Sequence, residues 1–171
     1  MVAVGKVFAT TIGPGALTGG AVDPVVIRSP PSETDELRIT SGVLHLCRYS
    51  RLHASYPVEM LIRRIRPSLP LEQFLYCTDP LGVPIAFCNW AWLNVSVLDD
   101  VLATGRDLRA HEFQCGDQPF FYELLAPFGH CRALVRNLRS MSQFKGRRIP
   151  AIRGEVCDGT QRVPRVKYFQ F

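Results

Sequence analysis

Phe74-Leu75-Tyr76-Cys77 and Val83-Pro84-Ile85-Ala86-Phe87-Cys88-Asn89-Trp90 are two apolar, aromatic-rich runs separated by Asp79-Pro80-Leu81-Gly82. Runs of this length suit strands, and the intervening segment has turn chemistry, so the stretch predicts a β-hairpin. Upstream, the period is different. Ser32 with Asp35 three residues on, ahead of Leu37, Val43, Leu44, Leu46 and Cys47, predicts a helix over 33–48 that Gly42 weakens. Pro57 suits a first helical turn; Val58, Leu61, Ile62 and Ile65 form its apolar stripe, and Pro67 and Pro70 end it. Downstream, the pattern predicts a short helix over 95–104, a polar loop to Asp117 and a strand over Phe120–Leu125. A helix over 130–140 follows, then a hairpin of Ile149–Val156 and Val163–Phe169 around Asp158-Gly159-Thr160. Helices and hairpins in this mixed order predict an α+β single domain, a mostly antiparallel sheet flanked by helices. Ser29-Pro30-Pro31 marks a boundary between a flexible Gly/Pro-rich N-terminal extension, 1–31, and the folded domain, 32–171.

With 171 residues, 47% hydrophobic and 20% charged, and a mean hydropathy of +0.06, the chain has material for one core. No apolar run is long enough for a transmembrane helix, and the composition is not that of a disordered chain. The net charge is +5, unevenly placed: residues 131–171 hold ten basic side chains against two acidic ones. A basic face attracts acidic partners, or it is simply a solvated surface. The six cysteines include no C-x-x-C pair, so zinc-site spacing is missing and no metal is expected. Lacking a secretion signal, the chain is expected to keep reduced thiols in the cytoplasm.

Four features could carry chemistry. Ser50-x-x-His53 lies in a loop between the first two helices, where an imidazole could act as general base or merely cap a turn. Glu123 interrupts an apolar strand; it either turns inward to a partner or lies on a solvent face by alternation. Arg63, Arg64 and Arg66 cluster near a helix end, where cations complement the dipole or bind an acidic partner. Cys115-Gly116-Asp117 reads as a tight turn rather than a thiol site. The aromatic strand Ile85–Trp92 carries no basic residue, which tells against a nucleic-acid reader.

Together these segments resemble the toxin-activating lysine acyltransferases of Gram-negative bacteria, the hemolysin-activating family. The matching stretches are Ser50–Val58, Val83–Ala91, Cys115-Gly116-Asp117 and Phe121–Gly129, with a looser match over Arg148–Arg153 and Val163–Phe169. The resemblance implies a GNAT-like fold and transfer of a fatty acyl chain from acyl carrier protein to internal lysines of an RTX protoxin, in the cytoplasm. It implies His53 as the catalytic base, Ser50 as its assistant and Glu123 as its acidic partner. It also implies a carrier- and substrate-facing set of Arg63, Arg64, Arg66, Phe87, Trp90 and Gly129. No permanently bound cofactor is expected: the donor is the acyl-acyl carrier protein, whose attached chain has little need of a pyrophosphate loop, in keeping with the single Gly129. A homodimer stays open.

Departures from the family pattern are Glu for Asp at 123, Phe for Tyr at 87, and Ala54 for the Arg that follows the His. They keep a second reading open, a non-catalytic relative that docks an acidic carrier or toxin segment. The separating observation is spatial: an enzyme should bring His53 and Glu123 together beside a pocket, whereas a docking platform need not.

Overall fold

The computed structural model describes residues 25–26, 31–158 and 161–171. Of the expected N-terminal extension, residues 1–24 and 27–30 lie outside the described residues; Val25–Val26 form a short edge strand, β1. Ser32 begins the first helix, α1 (Glu33–Cys47), through a reciprocal capping box: its hydroxyl accepts from the Asp35 N–H, and the Asp35 carboxylate accepts from the Ser32 N–H. Gly42 in this helix is not a weakness. A Cβ there would lie 2.0 Å from the Tyr76 hydroxyl, so glycine is what lets the helix settle onto the sheet. A 3-10 turn, His53–Ser55, leads to α2 (Val58–Ile65), which Pro57 opens.

The hairpin follows as β2 (Phe74–Thr78) and β3 (Pro84–Leu93), antiparallel, with β3 running past Trp90. Then come α3 (Val95–Thr104), β4 (Gln118–Leu125), α4 (Cys131–Arg139), and the pair β5 (Arg148–Asp158) and β6 (Gln161–Gln170). Gly159 and Thr160 of the expected last turn lie outside the described residues. The sheet order is β1-β2-β3-β4-β5-β6, all neighbours antiparallel except β4 and β5. This is an α+β domain with a mostly antiparallel sheet, consistent with a GNAT-like fold. No helix among the described residues is long and apolar enough to cross a membrane.

Helices cover both faces of the sheet. On one face, Ile39, Val43 and Leu46 of α1 and Leu61 and Ile65 of α2 pack on Phe74, Tyr76, Phe87 and Leu125. On the other, Leu134 and Leu138 of α4 pack with Leu75, Cys88, Trp90, Phe121 and Phe144. Double coverage is why the hairpin strands read as continuous apolar runs rather than alternating ones. The segment between α3 and β4 is more than the expected polar loop. Leu108 and Phe113 are buried against Ala91, Leu93, Val101, Phe120 and Tyr122, and a short 3-10 turn spans Ala110–Phe113.

Two irregularities of β4 shape the site. Asn89 pairs with Glu123 and Trp90 with Phe121, leaving Tyr122 as the extra residue of a β-bulge. Tyr122 and Glu123, adjacent in sequence, are thereby delivered to the same face of the sheet. On its other side, β4 pairs with β5 at one position, Phe121 with Ala151, so the two strands part to either side of that point.

Candidate functional site

The loop after α1 turns tightly: the Ala54 N–H reaches the Ser50 carbonyl at 2.9 Å, and the Tyr56 N–H reaches the His53 carbonyl at 3.1 Å. This packs the His53 ring inward, leaving the residue 6% exposed. Ser50 Oγ lies 2.6 Å from His53 Nδ1, and His53 Nε2 lies 2.7 Å from Glu123 Oε2, across 70 residues of sequence. A carboxylate only accepts, so Nε2 carries a proton and donates to Glu123; in the neutral imidazole Nδ1 then holds the lone pair and accepts from the Ser50 hydroxyl. Serine, imidazole and carboxylate therefore stand in one hydrogen-bonded row, with both ring nitrogens assigned. The two side chains meet, which is the arrangement the enzyme reading required and a docking platform did not.

Glu123 reaches this position because of the bulge, and its backbone is pinned there. Asn89, fully buried, accepts from the Glu123 N–H at 2.9 Å through Oδ1 and donates through Nδ2 to the Arg64 carbonyl at 2.8 Å and Ser68 Oγ at 3.0 Å. One amide thus ties the bulge to the end of α2. The other carboxylate oxygen, Oε1, faces Arg64 Nη1 at 3.0 Å as an ion pair without the alignment of a hydrogen bond. Arg64 Nε stands 3.3 Å from Asp107 Oδ1. The Arg64 guanidinium lies over the Tyr122 ring at 4.6 Å and the Tyr56 ring at 5.5 Å. The Tyr122 hydroxyl accepts from the Leu108 N–H at 3.1 Å and donates to Asp107 Oδ1 at 3.2 Å.

Burial pushes the Tyr122 hydroxyl up to about 12, so it remains a neutral donor to Asp107. Burial, reinforced by the Glu123 charge, pushes the Cys47 thiol up to about 12, which keeps a thiolate away from the site. For Arg64, burial opposes the charge, but Glu123, Tyr122 and Asp107 outweigh it and hold the guanidinium above its ordinary range.

A cavity of about 650 Å³ opens over this row, within the range of small-molecule sites. Its polar lining includes Ser50, His53 and Glu123 and its apolar lining includes Leu52, Met60 and Ile152. Its far wall is Ala151–Gly154 of β5, so the cavity occupies the gap where β4 and β5 part.

The other sequence-predicted residues divide. Arg63 on α2 and Arg66 just beyond its end are exposed. Arg64 is not: helical spacing turns it inward, its side chain is 16% exposed, and its charge is engaged by Glu123 and Asp107. Phe87 and Trp90 lie away from the cavity. They are 0% and 1% exposed and support opposite faces of the sheet. Gly129, at φ 87, makes the turn before α4 and lies outside the cavity lining. Cys115-Gly116 forms the expected tight turn, both N–H groups donating to the Trp92 carbonyl at 2.8 and 3.0 Å. Sequence reasoning missed Asn89, Asp107 and Tyr122. An asparagine inside a doubly buried strand was a readable signal for the first; nothing local marks the other two.

The chain matches the family model of the RTX toxin acyltransferases over residues 32–170. It is 35% identical over 135 residues to a lysine-acyltransferase RtxC of Vibrio cholerae serotype O1, covering 77% of this chain and 88% of the relative. A leukotoxin-activating lysine-acyltransferase LktC of a Pasteurella haemolytica-like species is 29% identical over 132 residues, 77% of this chain and 76% of the relative. A protein-lysine myristoyltransferase RtxC of Kingella kingae is 26% identical over 107 residues, 63% of this chain and 64% of the relative.

Proposed function

The chain belongs to the RTX toxin acyltransferase family, and from that premise we propose that it moves a fatty acyl group from acyl carrier protein to internal lysines of an RTX-type protoxin in the cytoplasm. The acyltransferase class follows from the family; the carrier, the protoxin target and the residue roles are our reading. One observation carries that reading: His53, assigned at both ring nitrogens by Ser50 and Glu123, lies in the wall of a cavity that also has apolar walls.

The chemistry runs through this chain's own side chains. A lysine amine, with an ordinary pKa near about 10.4, arrives mostly protonated and must shed protons to bond to carbon. The ammonium first releases one proton to solvent, and the neutral amine then attacks the thioester carbonyl. As the C–N bond forms, the amine passes a proton to Ser50 Oγ while the Ser50 hydroxyl proton moves to His53 Nδ1. Glu123 accepts from Nε2 throughout and balances the imidazolium that results. The C–S bond then breaks, and His53 returns the proton to the leaving thiolate. The products are an amide on the lysine and a free carrier thiol. Met60, Leu52 and Ile152 supply apolar surface for the acyl chain. The exposed Arg63 and Arg66 and the basic final quarter steer an acidic carrier.

The test is to incubate the protein with an acyl carrier protein thioester and an RTX protoxin fragment, and to read lysine acylation by mass spectrometry. Acylation is expected, and His53→Ala should slow it by about 10²–10⁴-fold, the range of general-base catalysis. Undiminished transfer by His53→Ala removes the imidazole from the mechanism.

A further inference from the structure

Arg64 is one of three arginines in a short stretch, and only it points away from solvent. Everything it touches belongs to the frame of the histidine row. Its Nη1 faces the Glu123 oxygen that His53 does not use, its Nε faces Asp107, and two tyrosine rings flank its plane. The bulge explains the convergence: strict alternation would have sent Tyr122 and Glu123 to opposite faces, whereas here both meet one guanidinium. Asn89 closes the frame by holding the Arg64 carbonyl and the Glu123 N–H with a single amide.

We propose that Arg64 is a positioning residue for acyl transfer, holding Glu123 in the one orientation that presents Oε2 to His53 Nε2 and so keeps Nδ1 turned to Ser50. The inference rests on the acyltransferase reading of the histidine row. A glutamate side chain has three rotatable bonds, and one hydrogen bond from an imidazole does not fix all of them. The ion pair at Oε1 supplies the second constraint. It also separates two carboxylates: with Arg64 removed, Asp107 and Glu123 lose the cation between them, and Glu123 can turn from His53. Among the described residues several charged and titratable groups surround the row, and Arg153 of β5 lines the same cavity while Cys88 of β3 lies behind Glu123. The others are Cys47 from α1, His53 and Tyr56 from the turn, Arg64 from α2, Asp107 from the loop after α3, and Tyr122 and Glu123 from β4.

The experiment compares wild type, Arg64→Gln and Arg64→Lys in lysine transfer from an acyl carrier protein thioester to an RTX fragment. Arg64→Gln should lower kcat by about 10- to 100-fold, the scale of a small misplacement at a reacting centre. KM for carrier and fragment should move less than about twofold, and the acidic limb of the pH profile should shift. Arg64→Lys should recover part of kcat, since it restores the charge but not the flat fork. Adding Arg64→Gln to Glu123→Gln should cost little beyond Glu123→Gln alone, because Arg64 acts through the carboxylate already replaced. Independently of activity, ¹⁵N spectra should show His53 as the Nε2–H tautomer in wild type and a mixture in Arg64→Gln.

A rise in carrier KM alone would mean that Arg64 docks the carrier as Arg63 and Arg66 do, and the inference falls. Unchanged kcat with an unchanged tautomer also overturns it. Should Arg64→Gln not fold, Arg64→Lys decides: a partial kcat loss at constant KM supports the proposal, and wild-type kcat with a raised KM refutes it. If wild type transfers nothing, the functional reading fails instead, and the tautomer comparison still tests the role of Arg64.

Discussion

Glu112 and Glu123 are equally buried, each 5% exposed, and each faces an arginine, yet they are held in opposite ways. Arg106 grips Glu112 with both terminal nitrogens at 2.8 and 3.0 Å, and the Arg109 N–H adds a third bond at 2.8 Å. All of these partners lie within six residues of it. The Arg106 hydrogen bonds bring the carboxyl from 4.5 down to about 2 against the opposing effect of burial. Glu123 has one hydrogen bond, to a histidine 70 residues away, and an arginine set off the hydrogen-bonding axis. A saturated local carboxylate fastens a loop. A carboxylate with one oxygen left without a hydrogen bond, on the wall of a cavity and facing an imidazole, is the one that the proposed mechanism uses to balance a charge on that ring.

Exchanging the two roles is the sharpest way to break this contrast. Glu123→Gln keeps the shape and removes the charge. It should lower lysine transfer by about 10²-fold or more, from the lost imidazolium partner, with the native circular dichroism spectrum retained. The matching Glu112→Gln should leave kcat unchanged and cost about 1–3 kcal/mol in a urea titration, the scale of lost hydrogen bonds to a charged group. If Glu112→Gln disabled transfer while Glu123→Gln only lowered stability, the assignment would be reversed.

Acid sharpens the same comparison. The folded value of Glu112 lies below its unfolded value, so its stabilisation is full above about pH 4.5 and drains as pH falls toward about 2. Wild-type stability should therefore fall across that window more steeply than that of Glu112→Gln; parallel curves would remove Glu112 as a source of acid sensitivity. Asn89→Ala should cost a similar amount, about 1–3 kcal/mol, from leaving the Glu123 N–H and the Arg64 carbonyl unpaired. It should also reduce transfer, separating backbone pinning at Glu123 from the side-chain grip at Glu112. Full activity in a stable Asn89→Ala protein would show that the bulge holds itself.

Much of the fold was legible because its signals are local. The Ser32–Asp35 cap, the prolines around α2 and the Asp79–Gly82 turn each act within a few residues. The site was legible in parts. Ser50 and His53 lie on one turn, so their spacing implied contact. Glu123 was ambiguous, since alternation distinguishes a buried from a solvent face only where one face is wet, and here helices cover both. Arg64 read as one of three docking cations because charge runs look alike until the helix phase is set against a neighbour. Phe87 and Trp90 entered the substrate-facing set through the family resemblance, and residue type could not test it, since burial in a core and exposure in a pocket select the same aromatic side chains.

By itself, then, the chain's order of residues determined the elements, the mixed α+β class, the family and the Ser50–His53 turn, all of which depend on contacts or patterns close along the chain. Tertiary structure alone decided that one extra residue in β4 would turn Tyr122 and Glu123 to the same side, and that Arg64 and Asn89 would meet them there. The reason is physical: a bulge arises from the register between two strands, and register belongs to the packed pair rather than to either strand.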